Sequence, residues 1–393
     1  MEGDFIRINR WLLPLSWLYG LGVQFRNTLF DMGILKSKSF AVPVISVGNL
    51  TVGGTGKTPH VEYLIRLLQD KNRVAVLSRG YKRKTHGFQI GNESSTAQMI
   101  GDEPFQMMQK FPKVIVAVDK KRVHGIETLT RQYKDIDVVL LDDAFQHRYV
   151  KPGVNILLVD YHRLIIYDKL MPAGRLREPL KGKNRADIVI VTKCPNDLKP
   201  MEYRVIIKAM DLYPYQQIFF TTLEYGELTP MTGNAKDIGL SGESFKALKD
   251  YHVLLLTGIA SPRQIQEDLT PFVSRLSMLS FPDHHNFSQK DIERINSEFA
   301  ALPFPKCIIT TEKDAARIIH TNGFSKDIKD SIYILPVRIR FMQDQEEKFN
   351  ENILGYVLKN SRNSILAKGK DDYLSEDSHR FRNGARTISF RNN

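Results

Sequence analysis

Residues 42–68 constrain the fold of this chain more than any other stretch, because they join an apolar run, a glycine-rich segment and a second, apolar-periodic run. The first run, residues 42–47, is rich in β-branched side chains and predicts a buried strand. The last run, residues 60–68, follows Pro59 and predicts a helix. A strand, a glycine loop and a helix in this order are typical of a phosphate-binding loop. The alternative is an ordinary glycine-rich turn before a helix.

The residue types of the glycine-rich segment suit a nucleotide phosphate. Glycines allow positive φ angles and bring backbone N–H groups onto phosphate oxygens, and the following helix directs its positive end at the same anion. Lys57 is expected to reach the β and γ phosphates, and the Thr58 hydroxyl to bind Mg²⁺. Thr51 stands where the G-x-x-x-x-G-K-[ST] pattern has its first glycine. The predicted nucleotide-binding residues are Gly48, Asn49, Leu50, Thr51, Val52, Gly53, Gly54, Thr55, Gly56, Lys57 and Thr58.

Further apolar runs predict an α/β fold. A chain of 393 residues is long for one domain and indicates two. Strands alternating with helical segments imply a parallel sheet with helices on both faces, here built around the phosphate loop, plus a smaller α/β C-terminal domain. The predicted strands are residues 73–78, 114–118, 137–143, 155–160, 187–192, 217–223, 252–257 and 306–311. The predicted divisions are an N-terminal helix at 1–38, the phosphate-loop domain at 39–215, the smaller domain at 216–358 and a polar tail at 359–393, expected to be disordered.

The N-terminal segment, residues 5–34, has an unusual composition. It has no charged residue between Arg10 and Arg26 and is rich in tryptophan and leucine. No small-residue cleavage site follows, which argues against a secretory signal, and the run is too short and too interrupted by proline and glycine to span a bilayer. Aromatic and leucine residues flanked by arginines predict an amphipathic helix lying in a membrane interface. A helix packed on the protein's own core is the alternative.

The charge balance agrees with an anionic partner without identifying it. Fifty-six Lys and Arg against 44 Asp and Glu give a net charge of +12, which suits a polyanion or an anionic membrane surface. The two cysteines, Cys194 and Cys307, form no disulfide framework, so a reducing compartment is expected.

Acidic and basic residues follow several predicted strands, where an open α/β sheet binds its ligand. Asp142 and Asp143 end the strand at 137–143, as in kinases that hold Mg²⁺ there, and both are candidate metal ligands. Asp102 and Glu103 begin a predicted helix, where acids can be mere dipole complements. Arg122 follows the strand at 114–118 and is a candidate catalytic residue together with Lys57, Asp102 and His284.

Three short segments allow more than one interpretation. Asp283, His284 and His285 lie in one turn, and a catalytic or substrate-orienting histidine is favoured over a metal site because no partner cluster accompanies them. The segment at 192–195 is similar to the guanine-reading N-K-x-D, but Pro195 replaces the aspartate, so guanine specificity is not expected. Thr311, with an acid three residues later, is expected to cap a helix.

Together, five motifs resemble the tetraacyldisaccharide 4′-kinase family, the lipid A 4′-kinases of Gram-negative bacteria, over about residues 5–350. They are GNLTVGGTGKTP at 48–59, GDEP at 101–104, DDAFQHR at 142–148, FPDHH at 281–285 and TEKD at 311–314. The family phosphorylates the 4′-hydroxyl of a tetraacylated glucosamine disaccharide 1-phosphate, using ATP and Mg²⁺, at the cytoplasmic face of the inner membrane. Ala144 stands where the family usually has glycine, which leaves the geometry of that loop open.

The resemblance also implies partners and a general base. Asp102 matches the family's catalytic-acid position, and a histidine at 284 would pair with it or orient it, so that catalysis depends on closure of the two halves over the lipid. The implied partners are the lipid A disaccharide precursor and the membrane surface, as a peripheral protein, with no nucleic acid. The oligomeric state stays open.

Two other classes of protein fit less well. A partitioning ATPase has a K-G-G-x-G-K-[ST] loop, but its signature lysine would fall at Val52. A nucleic-acid-binding protein would agree with the charge of +12, but no aromatic RNP-type strand or zinc-finger spacing accompanies it.

Overall fold

The structure is a computed structural model that describes residues 8–232, 240–259, 262–282, 285, 287–319, 321 and 323–360. Its strands form two sheets, a large one and a small one. In chain order they are β1 Val44–Asn49, β2 Val74–Ser78, β3 Gln89–Ile90, β4 Ile115–Val118, β5 Val138–Asp142, β6 Val154–Asp160, β7 Ile188–Thr192, β8 Gln217–Tyr225, β9 Thr229–Pro230, β10 His252–Thr257, β11 Arg275–Ser280, β12 Lys306–Thr311, β13 Ile332–Leu335 and β14 Val337–Phe341.

The helices connect these strands and cover both sheets. In chain order the α-helices are α1 Leu13–Asp31, α2 Lys57–Leu68, α3 Ala97–Ile100, α4 Asp102–Lys110, α5 Arg122–Gln132, α6 Pro200–Met210, α7 Arg263–Leu269, α8 Gln289–Ala300, α9 Glu312–Ile318, α10 Lys326–Lys329 and α11 Glu346–Asn360. Short 3₁₀ turns occur at Arg10–Leu12, Tyr161–Arg163, Ile165–Tyr167, Leu180–Arg185, Phe245–Asp250 and Thr270–Phe272.

Within the described residues, nine strands form the large sheet in the order β14-β8-β7-β6-β1-β5-β2-β4-β3. All neighbours pair in parallel except the two edge pairs, β14 with β8 and β3 with β4. The strand β1 lies between β5 and β6, and the chain passes from β5 to the opposite side of β1 when it enters β6. The loops after β1, β2, β4 and β5 therefore meet at one edge, at the point where an open α/β sheet binds ligands.

Apolar clusters cover both faces of the large sheet. One contains α2 side chains such as Val61 and Ile65 together with Phe349 and Ile353 of α11, all at most 1% exposed. On the other face, Ile126 of α5 packs beneath β2 and β5, and Ile206 of α6 packs beneath β6 and β7. The predicted parallel sheet with helices on both faces is confirmed.

The small sheet has the order β11-β10-β12-β13-β9, with the first four strands parallel. The chain enters it after β8 and leaves it between β13 and β14, so that two adjacent strands of the large sheet carry both connections. The Gly226 N–H donates to the Pro336 carbonyl at 2.9 Å and links the two connections. The segment expected to form the smaller domain thus supplies β8 and β14 to the large sheet, and α11 packs against that sheet.

Helix α1 has an inverted distribution of polar and apolar side chains. Its buried residues include the polar Ser16 and Asn27, whereas Trp17 is 72% and Phe25 68% exposed. Ser16 Oγ accepts from the Ala173 N–H at 2.8 Å, and Asn27 Nδ2 donates to Glu178 at 3.2 Å. The helix therefore binds the protein partly through hydrogen bonds and turns much of its apolar surface outward. No helix in the described ranges is both long enough and apolar enough to cross a membrane.

The tail expected to be disordered falls almost wholly outside the described residues. Lys359 and Asn360, its first two residues, belong to α11. The remainder, residues 361–393, lies outside the described part of the chain, as do residues 1–7 of the predicted N-terminal helix.

Candidate active site

The glycine-rich segment forms a tight loop between β1 and α2. Gly53 has φ +122° and Gly56 has φ +80°, values that residues with a side chain rarely adopt. Gly56 is the N-cap residue of α2. The first helical residues are Lys57 and Thr58. The predicted nucleotide loop therefore has its expected local form, with a helix N-terminus directed at the loop.

Thr51 needs no glycine, because its backbone is paired like a strand. It bridges antiparallel to Leu176, and the Val52 N–H donates to the Arg175 carbonyl at 2.8 Å. Thr51 is also buried. The departure from the phosphate-loop pattern at this position is thus accommodated by an extended segment from the loop between β6 and β7.

Side chains from neighbouring strands brace the loop from behind. Asn49 Nδ2 donates to Thr55 Oγ1 at 2.9 Å, and Thr192 Oγ1 donates to the Thr55 carbonyl at 3.0 Å. Lys193 Nζ donates to the Gly54 carbonyl and, at 2.7 Å, to Asp160. Lysine at 193 therefore supports the loop, which gives a structural role to the segment that is similar to N-K-x-D.

The neutral imidazole of His60 stabilises the start of α2 through hydrogen bonds. Its Nδ1 lies 2.7 Å from the Gly56 carbonyl, which can only accept, so Nδ1 carries the proton and Nε2 accepts from Thr221 Oγ1 at 3.1 Å. Burial lowers the pKa of His60 to about 4. A neutral imidazole adds no second positive charge beside Lys57.

Asp143 lies opposite the loop, between two cations. Its Oδ1 is 3.6 Å from Lys57 Nζ and 3.3 Å from Arg177 NH1. Burial alone would raise the pKa of Asp143, but Lys57 and Arg177 outweigh it and lower the pKa below its usual range. Asp143 also takes the left-handed conformation, φ +47°. The neighbouring Ala144 is not among the residues with positive φ, so the usual glycine is not required there.

Asp142 is the buried acid of the pair. Ser78 Oγ donates to its Oδ2 at 2.9 Å, while its Oδ1 has no hydrogen-bond partner among the described residues. Burial, followed by the negative charges of Glu103 and Asp143, raises the pKa of Asp142 to about 7. A buried carboxylate oxygen without a donor is costly unless a ligand meets it.

Arg122 lies behind the two aspartates and does not line either of the two cavities described below. It is 2% exposed, and its guanidinium donates to the backbone carbonyls of Asp119 and, at 3.0 Å, Asp142. Burial lowers its pKa to about 10. The predicted catalytic residue Arg122 therefore contacts the ends of β4 and β5 directly, and its positive charge also helps to lower the pKa of Asp143.

Asp102 and Glu103 occupy the first turn of α4, as the sequence predicts, and both are paired with α9. Arg317 Nε and NH2 donate to Asp102 Oδ2 at 2.9 and 2.7 Å. Lys313 Nζ lies 3.0 Å from Glu103 Oε1. These pairs join the part of the molecule built on the large sheet, which includes α4, to the part built on the small sheet, which includes α9.

A third pair of contacts extends this connection to the phosphate-loop helix. Lys110 Nζ lies 2.7 Å from Glu62 Oε2 of α2 and 2.6 Å from Glu312 Oε1 of α9. Glu62 is 1% exposed, and burial raises its pKa although Lys110 opposes the shift. Helices α2, α4 and α9 are therefore tied together by charges.

Two cavities meet at this site. One, of about 480 Å³, runs from the phosphate loop along α2 to the small sheet. The other, of about 350 Å³, is lined by Tyr19, Val23 and Arg26 of α1 and by Asp142 and Glu178. Among the described residues, those that line both are Tyr81, Glu103, Asp143 and Arg177. A group held in one cavity can thus reach a group held in the other at this junction.

The turn at 281–287 is only partly described. Asp283 and His284 lie outside the described residues, so the predicted role of His284 stays a prediction. His285 stacks on Phe281 with ring centroids 5.0 Å apart and bonds Asp291 at 2.9 Å. No group of three or more metal-ligating side chains occurs in the part of the chain that the structure describes.

Sequence reasoning missed several residues of the junction. Arg177 was not singled out, although it lies in a stretch of arginines between β6 and β7, and Glu103 was not chosen as a site residue beside Asp102. Glu103 has a positional signal, since it lies in the first turn of α4, whereas Arg177 lies in the long connection between β6 and β7 and has no such signal. Thr311 does cap α9, since its Oγ1 accepts from the Asp314 N–H at 3.2 Å.

A phosphate loop after the central strand, a lysine at its end and a buried acid at the neighbouring strand end define a P-loop nucleotide-binding protein. Comparison with known proteins narrows this class. The family model described as tetraacyldisaccharide-1-P 4′-kinase matches residues 8–357. The chain belongs to this family of kinases.

Individual relatives agree with the family. The chain is 58% identical to the tetraacyldisaccharide 4′-kinase of Phocaeicola vulgatus over 370 residues, covering 93% of this chain and 99% of the relative. It is 54% identical to that of Bacteroides thetaiotaomicron over 380 residues, 95% of this chain and 100% of the relative. The crystal structure of LpxK from Aquifex aeolicus in complex with ATP is similar, with 32% identity, a TM-score of 0.65, and 88% of this chain and 98% of that chain covered.

Proposed function

We propose that this protein transfers the γ-phosphoryl group of ATP to the 4′-hydroxyl of a tetraacylated glucosamine disaccharide 1-phosphate, a step of lipid A biosynthesis. The observation that carries the proposal is the meeting of the two cavities, because the phosphate-loop cavity suits ATP and the other opens beside the apolar helix α1. The family and its relatives support the activity.

Five charged or titratable side chains are assigned roles in this reaction. Lys57, at the end of the phosphate loop, and Arg177 would neutralise charge on the transferring phosphoryl group. Asp102, by resemblance to the family, would accept the proton of the attacking hydroxyl, and His284 would pair with it or orient it. Arg122 would act as a positioning residue, since it holds the backbone of Asp119 and Asp142.

The transfer is tested directly with ³²P-labelled ATP and the disaccharide lipid, followed by thin-layer separation. The expected result is label in the lipid, and only when the 4′-hydroxyl is present. A 4′-deoxy acceptor of the same acylation is the matched control. Release of labelled inorganic phosphate with no labelled lipid would contradict the proposal and favour an ATPase. The loop of this chain differs from that of the partitioning ATPases, since Val52 stands where they have their signature lysine.

Mg²⁺ fits the residues present. Asp142 offers a buried oxygen with no hydrogen-bond partner among the described residues, Asp143 lies beside it, and Thr58 lies at the start of α2. Mg²⁺ in kinases takes most of its ligands from phosphate oxygens and water, so two carboxylates and a hydroxyl are sufficient. The ion would neutralise phosphate charge during transfer.

Mg²⁺ affinity is expected to rise as the pH increases from 6 to 8. With a pKa of about 7, Asp142 is largely protonated and a poor ligand at pH 6, and it becomes a carboxylate above pH 7. The measurement is a Mg²⁺ titration of the ADP complex by calorimetry at several pH values. In Asp142→Asn the pH dependence should shrink to that of the nucleotide, and an unchanged pH dependence would show that Asp142 does not hold the ion.

We infer further that the protein lies peripherally on a membrane surface, at the cytoplasmic face of the inner membrane in a Gram-negative cell. The support is α1, whose exposed face carries Trp17, Leu18 and Phe25 and adjoins Trp11, which is 93% exposed. Arg26, which lines the cavity next to this helix, is suited to an anionic headgroup. An apolar face left outward by a helix docked through Ser16 and Asn27 supports the interfacial interpretation over the core-packed one.

Replacing Trp11, Trp17 and Phe25 together by serine should weaken binding to anionic vesicles about tenfold or more, because three aromatic side chains no longer enter the interface. Vesicle flotation measures this, and ATP affinity should be unchanged. Phe304→Ser, at another exposed aromatic residue (85% exposed), is the matched control. Undiminished flotation of the triple variant would contradict the membrane role of α1.

A further inference from the structure

The nucleotide cavity continues beyond the phosphate loop into an apolar slot. Leu223 of β8 and Val337 of β14 line it from the large sheet, and Ile259 and Ile265 line it from the small-sheet part. The lining also includes the polar side chain of Gln264, in α7. Apolar walls together with an amide suit a planar heterocycle that carries hydrogen-bonding edges.

The amide of Gln264 is held in one orientation by two partners. His162 Nε2 lies 3.0 Å from Gln264 Oε1, and Gln264 Nε2 lies 3.1 and 3.2 Å from the two carboxylate oxygens of Asp268. Tyr225 also donates to Asp268 at 2.6 Å, and burial raises the pKa of this tyrosine so that it keeps its proton. A carboxylate only accepts, so the nitrogen of the amide must face Asp268 and the oxygen must face His162.

This arrangement leaves a defined pattern for a ligand. An amide oxygen has two acceptor sites and an amide nitrogen two donor hydrogens. His162 uses one site of the oxygen and Asp268 one hydrogen of the nitrogen, so one acceptor and one donor remain. Adenine offers the complement, an amino group beside a ring nitrogen, and a glutamine amide binds both together.

We propose that Gln264 is the residue that selects adenine over guanine in the nucleotide cavity, and that His162 and Asp268 fix its orientation. The Watson–Crick edge of guanine carries an acceptor where adenine has its amino donor, and a ring N–H where adenine has an acceptor. An unrestrained glutamine could rotate its amide to match guanine, but here rotation would point the amide oxygen at the Asp268 carboxylate, which has no hydrogen to donate. Selectivity thus arises from the fixed amide, not from the segment at 192–195.

The network also spans the cleft. His162 belongs to the loop after β6 of the large sheet, whereas Gln264 and Asp268 belong to α7 beside the small sheet. The contact of the amide oxygen with His162 therefore forms only when the two parts of the molecule are together, and adenine would bind to both parts at once.

The inference rests on the proposed use of ATP, and its test separates the two. Dissociation constants would be measured by calorimetry for ATP, GTP, purine riboside triphosphate, which lacks the amino group, and tripolyphosphate, which lacks the nucleoside. Gln264→Leu should reduce the preference for ATP over the two other nucleotides by about tenfold or more, since a bidentate amide–base pair supplies that much discrimination. Affinity for tripolyphosphate should not change. Gln266→Leu, in the same helix but outside the cavity, is the matched control.

A second variant changes the orientation of the amide without removing it. Asp268→Asn replaces the carboxylate, which only accepts, by an amide that can donate or accept, so the Gln264 amide can turn and GTP should bind relatively better, by several-fold, while Gln264 is still present. A preference for ATP that stays the same in both variants would overturn the inference. If instead the unmodified protein binds none of the triphosphates, the proposed function fails before the inference is tested.

Discussion

Lys57→Ala is expected to reduce phosphoryl transfer to the lipid by about three decades or more, since removal of one cation or donor from a phosphoryl-transfer site costs that much. The Lys57 amine is mostly buried and lies 3.6 Å from Asp143, so water cannot easily take its place. The loss should fall mainly on the catalytic constant, because the charge on the transferring group is greatest in the transition state.

The measurement is single-turnover transfer from ³²P-labelled ATP with saturating nucleotide. Lys71→Ala, an exposed lysine just beyond α2, is the matched control and should leave the rate unchanged. A rate within tenfold of the unmodified protein in Lys57→Ala would refute the assignment of the phosphate loop.

The second large effect concerns the general base. Asp102→Ala and His284→Ala should each lower the catalytic constant by about two to four decades, as the loss of a general base does, while ATP affinity changes little. If the two residues act as a unit, the double variant should be scarcely slower than the slower single variant. Losses that multiply would show that they act independently.

The contact between Asp102 and Arg317 requires its own control. Removing the carboxylate leaves the guanidinium without this partner, so part of any loss could come from altered closure of the cleft. Arg317→Gln breaks the same contact and retains Asp102. If Arg317→Gln lowers the rate as much as Asp102→Ala does, the effect belongs to the ion pair, and a large loss of ATP affinity in Asp102→Ala would move Asp102 to the metal site.

The sequence predicted seven of the nine described strands of the large sheet, all but β3 and β14, and the position of the phosphate loop, because these are local patterns. The apolar runs that precede Asn49 and end at Asp142 are short patterns, and the glycine angles follow from residue type. The loop after β5 shows the limit of such patterns. Asp143 takes the left-handed angle there, while the motif directs attention to Ala144, the residue that differs from the family.

What could not be predicted depends on pairing between distant segments. Strand periodicity does not say which sheet a strand joins, so the strand predicted at 217–223 was assigned to the smaller domain although β8 extends the large sheet. The residues of β14 were also placed in the smaller domain and were not predicted to form a strand. Likewise, Arg317 and Lys110 carry no motif. Their importance follows only from the approach of α9 to α4 and α2, which brings together residues some two hundred positions apart.

The attachment of α1 has a mechanical consequence. Tyr19 donates to the Arg177 carbonyl at 2.6 Å, and Asn27 donates to Glu178. Helix α1 is therefore hydrogen-bonded to Arg177, whose guanidinium contacts Asp143. A tilt or displacement of α1 is therefore passed on within one hydrogen bond to the junction of the two cavities. With α1 in a membrane interface, as proposed above, bilayer thickness, curvature and lateral pressure would become variables of the catalytic rate, alongside the concentrations of the two substrates.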